Sequence, residues 1–411
     1  MLSRIIRIVE WWSLTGLTSC VSAQNVSTLF PCSKVMESPY GVCTHISRVN
    51  WDWELRNEEL KRMKEAGIEW VRTDIELNTI RPIPPADTIR TDVYFPMLES
   101  IDSFDTKTLA VLCNGKGKDY AWNDRKKYSI FLDHVVKTYS DRLFYWEVIN
   151  EVDHIKDDKG YCKGYVDVLN EVYTKFKYKN KKCTILLSGL ADVRRPFADS
   201  LFYYGAQKYC DIINIHTYDS PEALPNHFQR IKELMDKNNF SKSVWLTECG
   251  MDTAIDSIRH IETNEKEKVQ AQRLPRIFII SFAYGIDKVF WYNLKSGEQN
   301  PYYNEDNFGL LHHDLSPKPS FLAYTALIKM CPKGSTRPTM EQKGNLYLSS
   351  WETPLGVKMY AVWAEKGFVQ KDCLDFEGTG KIYDMFGKKN KNFIISESVT
   401  YLAGFKNISF K

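Results

Sequence analysis

At 411 residues, with 43% hydrophobic and 26% charged side chains, the chain has an ordinary globular composition, long enough for a large domain with or without a small one. Its 55 basic and 52 acidic residues leave a formal net charge of +3, which excludes the concentrated positive field of a nucleic-acid-binding protein. The densest basic run, Lys175 to Lys182, stands just before an apolar segment and reads as a solvated helix end.

Residues 1–23 have the layout of an export signal: basic Arg4 and Arg7, the apolar run WWSLTGLTSCVSA, and small residues ending at Ala23. LTSC, ending at Cys20, also resembles a bacterial lipoprotein box in which Cys20 would carry a lipid anchor. A misassigned start codon in front of an ordinary signal is the alternative. The expected location is therefore periplasmic, extracellular or lipid-anchored at the cell surface. No later segment reaches about 18 uninterrupted apolar residues, so no transmembrane segment is expected. Ten cysteines are widely spaced, with no CxxC pair and no Cys/His cluster. Buried free thiols are expected for most of them, and no structural metal site.

From Tyr40 onward, short apolar runs alternate with amphipathic stretches. The strand-like runs are Gly41–His45, Glu69–Asp74, Thr108–Cys113, Phe144–Asn150, Thr184–Leu187, Asp211–His216, Val244–Thr247 and Lys288–Tyr292. Helical patterns lie between them, such as NEELKRMKEAG, with Leu60, Met63 and Ala66 on one face and Gly67 as C-cap. Another, NEKEKVQAQRLPRIFIISFAYG, carries Pro275 as a kink site. Eight all-apolar strands alternating with helices predict a closed (β/α)8 TIM barrel over residues 38–330. An open doubly wound sheet is the other α/β solution, but CTHISRVNWDW stands where its Gly-rich phosphate loop belongs. Beyond Met330 the pattern changes to short strands with glycine turns at Gly356, Gly367, Gly378, Gly380, Gly387 and Gly404. Residues 335–411 are expected to form a small antiparallel β-sandwich domain, completed by a strand from residues 25–37, around Thr28–Met36.

In a parallel barrel, the polar residues at strand C-terminal ends converge on one mouth, where sites are built. Those ends supply His45, Arg72, Asp74, Asn114, Asn150, Glu151, His216, Tyr218, Glu248, Trp291 and Asn293. Such an inventory suits a carbohydrate: carboxylates, hydroxyl-binding groups and a flat aromatic, in a chain whose aromatic content is 13%. It contains no phosphate cradle, no metal triad and no Schiff-base lysine, so neither metal nor cofactor is expected. Glu151 ends the fourth strand and Glu248 the seventh, so the two carboxylates face each other across the mouth. Glycosidic cleavage needs that opposition, with one carboxyl protonated for the leaving oxygen and the other ionised to attack the anomeric carbon.

WEVINE resembles the W-E-x-x-N-E element of clan A retaining glycoside hydrolases, VWLTECG their nucleophile strand and VFWYNL their eighth strand. GVCTHISR with MKEAGIEWVRTDIE is similar to their first two strands, and NFGLLHHDLSPKPSFLAY to the segment leaving the barrel. The resemblance covers most of residues 38–330 and points nearest to family 39 or a neighbouring one, with an appended β-sandwich. It implies a retaining β-glycosidase acting on oligo- or polysaccharides. Glu151 would be the general acid/base, Glu248 the nucleophile, and Asn150 the partner of the sugar hydroxyl beside the anomeric carbon. Arg72 would hold Glu248 ionised, Tyr218 would hydrogen-bond it, His216 would line the site beside Glu151, and Trp291 would lie under the sugar. The motif usually continues with Pro, and Val152 stands there instead.

Three alternatives are kept beside this reading. His45 fits a satisfied barrel histidine as well as a sugar ligand; the whole chain fits a non-catalytic carbohydrate-binding protein on a degenerate barrel; and a metal-assisted hydrolase would want paired histidines on the first strand, where only His45 stands. Trp245 reads as core, and Trp51, Trp53, Trp122, Glu298, Tyr302 and Tyr303 are loop residues that could build further subsites. Glu147, four residues before Glu151, lies about 13 Å deeper along an extended strand. It is expected to point into the barrel and be neutralised there, with Arg72 the first partner to look for. Asp153 and His154 are expected only to shape the rim.

Overall fold

The computed structural model describes residues 22–411 apart from 49–51, 81–91, 114–123, 155–158, 298–299, 368, 370 and 392. The expected export signal and Cys20, and the subsite residues Trp51, Trp122, Asn114 and Glu298, lie outside the described residues. Each predicted strand is present: β1 Tyr40–Cys43, β2 Trp70–Glu76, β3 Lys107–Cys113, β4 Tyr145–Val148, β5 Thr184–Leu186, β6 Ile213–Thr217, β7 Val244–Cys249 and β8 Val289–Trp291. They form one parallel sheet in the order β5-β4-β3-β2-β1-β8-β7-β6. Parallel bridges Leu186–Ile212 and Leu190–Ile215 join β5 to β6, which closes the (β/α)8 barrel.

A helix follows every strand: α1 Trp53–Ala66, α2 Phe95–Ser103, α3 Arg125–Tyr139, α4 Lys159–Lys179, α5 Pro196–Tyr203, α6 Leu224–Lys237, α7 Thr263–Tyr284 and α8 Pro319–Met330. Local chemistry sets their ends. Asp52 accepts from the Leu55 N–H at 2.9 Å to start α1, and Gly67, at φ 83°, stops it in the left-handed conformation that favours glycine. Pro275 is accommodated inside α7, which runs unbroken through it. No described helix is long and apolar enough to cross a membrane.

Period-2 alternation sorts the strand side chains into an inner and an outer shell. The inner shell begins, at the N-terminal end of the barrel, with Trp70, Tyr145, Trp245 and Phe290, packed with Leu109, Leu186 and Ile212. Tyr145 stacks on Trp245 at 5.5 Å, and the Trp70 ring stands edge-on to it at the same distance. This aromatic plug fills the lower barrel, so polar groups are confined to the layers above it. The outer shell, with Val71, Trp146, Val148 and Leu246, packs against the helices. The described cysteines are free, six of the nine buried.

The C-terminal strands β9 Thr339–Lys343, β10 Leu346–Glu352, β11 Lys358–Ala364, β12 Leu374–Glu377, β13 Lys381–Tyr383, β14 Thr400–Ala403 and β15 Asn407–Phe410 make two antiparallel sheets. Leu346, Leu348, Tyr360 and Val362 fill the space between the sheets, while the alternate residues Tyr347, Trp351 and Trp363 join the core of the barrel. That two-faced alternation makes a sandwich that is also glued to the barrel. The N-terminal segment pairs with β9 at Gln24–Asn25, upstream of Thr28–Met36, where only Val35 bridges to Thr336. Pro31 interrupts that stretch and has no N–H to give a ladder.

Candidate active site

Above the aromatic plug, the next inward positions carry a polar layer: Arg72 on β2, Glu147 on β4, Asn214 and His216 on β6, and Thr247 on β7. Glu147 is fully buried and takes both arms of the Arg72 guanidinium, Nε to Oε2 at 2.7 Å and Nη2 to Oε1 at 2.8 Å. The Gly189 N–H adds a third donor at 3.1 Å. The deeper carboxylate is therefore neutralised as expected, by the expected partner. A bidentate pair also fixes the plane of Arg72, and the remaining donors point upward. Nη1 reaches Glu248 Oε1 at 2.5 Å and Nη2 reaches Asn150 Oδ1 at 2.7 Å. Burial disfavours the Arg72 charge, but Glu147 and Glu248 outweigh it and hold the guanidinium firmly protonated.

Glu248 reaches the site through a break in the ladder. Thr247 faces inward, with Oγ1 2.7 Å from Asn214 Oδ1, so strict alternation would send Glu248 outward. The β6–β7 register slips between Ile215 and His216, so that Ile215 pairs with Leu246 and His216 with Glu248. This bulge puts two consecutive side chains on the inner face. Tyr218 then donates to Glu248 Oε2 at 2.7 Å, and burial followed by the Glu248 charge keeps that phenol protonated.

Glu151 arrives by a different irregularity. The strand stops at Val148, and Ile149 (φ 67°) and Glu151 (φ 47°) take left-handed conformations that turn the chain over the barrel rim. The Glu151 N–H is anchored on the Gly189 carbonyl at 3.1 Å. Its Oε1 lies 3.0 Å from His216 Nδ1, and its Oε2 lies 2.9 Å from His154 Nε2. His154 therefore touches the site carboxylate, where only a rim position was expected; the short helical turn Val152–His154 folds it back by one turn. Asp153 is buried and accepts from the Ala191 and Asp192 N–H groups, both at 2.9 Å.

His216 links the two carboxylates. Its Nδ1 is 3.0 Å from Glu151 and 3.6 Å from Glu248 Oε2, and its Nε2 is 3.0 Å from Thr247 Oγ1. A Cβ on Gly189 would lie 2.0 Å from Nε2, so glycine there is what admits the ring. Burial alone would strip His216 of its proton; the Glu248 charge and the hydrogen bond to Glu151 outweigh it and raise its pKa above the usual value. Burial would likewise raise Glu151, but the His216 hydrogen bond and charge, then His154 and Arg72, hold it below the glutamate range. The proton shared by this pair therefore rests on the imidazole. An oxygen from each glutamate and a nitrogen of His216 all lie within 4.8 Å of one another, close enough among the described residues to share a cation. Both His216 nitrogens are already committed, to Glu151 and to Thr247, which suits proton transfer better than metal ligation.

Whereas His216, expected to line the site, is fully buried behind the two glutamates, Arg72, Asn150, Glu151, His154, Tyr218 and Glu248 line a cleft of about 580 Å³ at the C-terminal mouth of the barrel. His45 stands half-buried in its wall, with Nε2 3.5 Å from the Tyr292 hydroxyl and Nδ1 without a partner among the described residues. Burial and then the Arg48 charge push it down to about 4, so it is a neutral imidazole. Trp291 does not lie under the cleft: it is 0% exposed and belongs to the shell between barrel and helices. Alternation is the cause, since Phe290 points into the plug and Trp291 must then point out. Tyr292 lines the cleft instead, together with Tyr218 and Phe308, against which it packs at 6.1 Å and 5.4 Å. Sequence reasoning also missed Glu305, whose Oε2 accepts from the Tyr292 hydroxyl at 3.3 Å, and Arg48, which is the neighbour that pairs with the mouth residue Asp74 in the lining of the cleft. Asn293 is buried, and Trp53, Tyr302 and Tyr303 are exposed outside this cleft. Trp245 is core, as read.

The fold and site together define a (β/α)8 barrel carrying a β-sandwich, with opposed carboxylates after β4 and on β7. No protein-family model matches the chain, and no curated protein does. Solved structures match it in fold. One is a family 39 glycoside hydrolase from the gut symbiont Bacteroides cellulosilyticus WH2, with a TM-score of 0.72 and 21% identity over 90% of this chain and 81% of that one. A glucosidase from Croceicoccus marinus matches with a TM-score of 0.65 and 12% identity over 95% and 99%. A GH30 endoxylanase from Clostridium papyrosolvens C71 matches with a TM-score of 0.61 and 13% identity over 93% and 100%. At such identities the likeness is one of fold, and it spans barrel and sandwich together. Family 39, to which the motifs pointed, is the family of the first of these structures.

Proposed function

We propose that the protein is a retaining β-glycosidase that cleaves oligo- or polysaccharides by double displacement. The observation that carries this is the approach of one oxygen of Glu151 and one of Glu248 to within 4.8 Å, with Arg72 bound to Glu248. Carboxyls about 5–5.5 Å apart suit direct attack, whereas inversion needs about 6.5–9.5 Å to admit a water. Glu248 attacks the anomeric carbon, the bond to the leaving oxygen breaks, and Glu151 gives that oxygen a proton. Water then adds to the anomeric carbon as Glu151 takes a proton from it, the ester to Glu248 breaks, and configuration is retained.

His216 is the proton's resting place in this scheme. As Glu248 becomes a neutral ester, the charge that does most to raise His216 disappears, so the balance of the pair shifts from the imidazole towards a protonated Glu151. Asn150, with Oδ1 taken by Arg72, offers its amide N–H to the hydroxyl next to the anomeric carbon. Tyr292 takes the stacking role first assigned to Trp291, and His45 supports it from behind through Nε2, its Nδ1, unpaired among the described residues, being buried away from the cleft.

The test is a panel of aryl β-glycosides (xyloside, glucoside, galactoside, mannoside) and polysaccharides, with Glu248→Ala assayed with and without azide. Turnover that is lost in the variant and restored by azide, with a glycosyl azide as product, is expected. Binding of sugar with every substrate inert would favour the carbohydrate-binding alternative, and loss of activity to a chelator would favour metal-assisted hydrolysis.

A further inference from the structure

Both oxygens of Glu151 are capped by an imidazole, and the two caps differ in kind. His216 is fully buried, held at Nε2 by Thr247 and walled in by Gly189. It cannot leave Oε1. His154 stands on the rim with more than half of its side chain exposed, on a short turn whose own N–H closes back on the Glu151 carbonyl. A glycosidic oxygen approaching from the cleft can therefore reach only Oε2, and His154 already occupies it at 2.9 Å.

We propose that His154 is a positioning residue that caps Oε2 of Glu151 until a leaving-group sugar displaces it, after which its imidazole lines the leaving-group side of the cleft. This rests on Glu151 being the acid/base. The consequence is a coupling. While His154 sits on Oε2 it favours the ionised carboxylate, and its departure removes that support, so binding of the leaving group itself strengthens the hold of Glu151 on the proton it must donate. The other charged groups around the carboxylate stay in place during this exchange: His216 from β6, Arg72 from β2 and Glu248 from β7. Arg194, Arg195 and Asp192, on the loop after β5, share the same wall of the cleft. Arg194 is chelated by Asp192 at 2.8 and 3.1 Å, and Arg195 donates to the Asp153 carbonyl at 3.0 Å, so neither competes for Oε2.

The experiment compares pH profiles of wild type, His154→Ala, His154→Gln and Glu151→Ala on the aryl β-glycoside that the wild type cleaves best in the panel above. For His154→Ala, the basic limb of kcat/KM, which reports the free enzyme, should move up by roughly half to one pH unit, while the limb of kcat, which reports the complex, stays put. His154→Gln, which can still donate to Oε2, should keep a profile near that of wild type. An unmoved kcat/KM limb in His154→Ala, or equal movement of both limbs, overturns the proposal. A Glu151→Ala variant that retains the wild-type basic limb overturns the acid/base assignment and this inference with it, whereas loss of that limb confines any failure to His154.

Discussion

Replacing Glu147 by alanine should destabilise the barrel more than any change to the two cleft glutamates, because it strands a charge. Glu147 is 0% exposed and Arg72 is 5% exposed, so neither can turn to water when its partner goes. Arg72 would keep Glu248 and Asn150 but lose two hydrogen bonds, and the Gly189 N–H would lose its acceptor. Breaking one side of a buried pair costs about 3–5 kcal/mol. For a domain of this size that is a fall in Tm of about 6–10 °C at about 2 °C per kcal/mol. Glu147→Gln keeps the shape and one acceptor and should cost about 1–3 kcal/mol. Thermal unfolding followed by circular dichroism at neutral pH reads both. A drop of less than about 2 °C for Glu147→Ala would refute the view that this carboxylate is the counter-charge on which Arg72, and through it Glu248, is aligned.

Three further outcomes follow from the same layer. Gly189→Ala places a Cβ 2.0 Å from His216 Nε2, and the shift forced on the imidazole should lower kcat about 10²-fold, measured against unfolding curves that show the variant folded. Trp291→Phe should lower stability by about 1–3 kcal/mol and leave KM unchanged, whereas Tyr292→Ala should raise KM about tenfold; the reverse pattern would return Trp291 to the cleft. His45, held neutral with its pKa pushed down to about 4 from 6.5, lets the unfolded chain bind a proton that the folded one refuses between those values. Its contribution is thus present above pH 6.5 and lost as pH falls towards 4, so His45→Gln should flatten the acid side of the Tm profile over that window.

Much of this architecture is legible in the sequence because burial on both faces forces barrel strands to be apolar runs, and the runs recur with helices between them. Glu147 was assignable for a related reason: a carboxylate inside such a run has no water to turn to, and Arg72 is the cation at a matching depth. The error at Trp291 has an equally physical source. Phe290, Trp291 and Tyr292 are three aromatics in a row, and each suits either shell, so composition cannot say which faces inward. Register can: once Trp70, Tyr145 and Trp245 are recognised as one plug, Phe290 completes it, Trp291 points out and Tyr292 points to the mouth. Glu305 and Phe308 carry no such signal, since they come from a loop whose return to the cleft is set by backbone bonds such as Leu310 to Asn293 at 2.9 Å.

What no pattern reveals is that both glutamates reach the mouth by departures from regular structure. A slip of register turns Glu248 inward directly after Thr247, and left-handed residues at Ile149 and Glu151 tip the other carboxylate over the rim. For a β-branched residue such as Ile149, φ of 67° is costly, by about 1–3 kcal/mol. Such a conformation persists only where the surroundings dictate it. Here the turn is held at three points: the Ile149 N–H on Leu112, the Glu151 N–H on Gly189, and the Asn150 side chain on Arg72. Arg72 is in turn locked by Glu147. The buried pair therefore does more than neutralise itself, because the same guanidinium ties the turn that carries Glu151 to the bulge that carries Glu248. The separation of the two cleft carboxylates, on which the choice between direct attack and water-mediated attack depends, is set from one layer below.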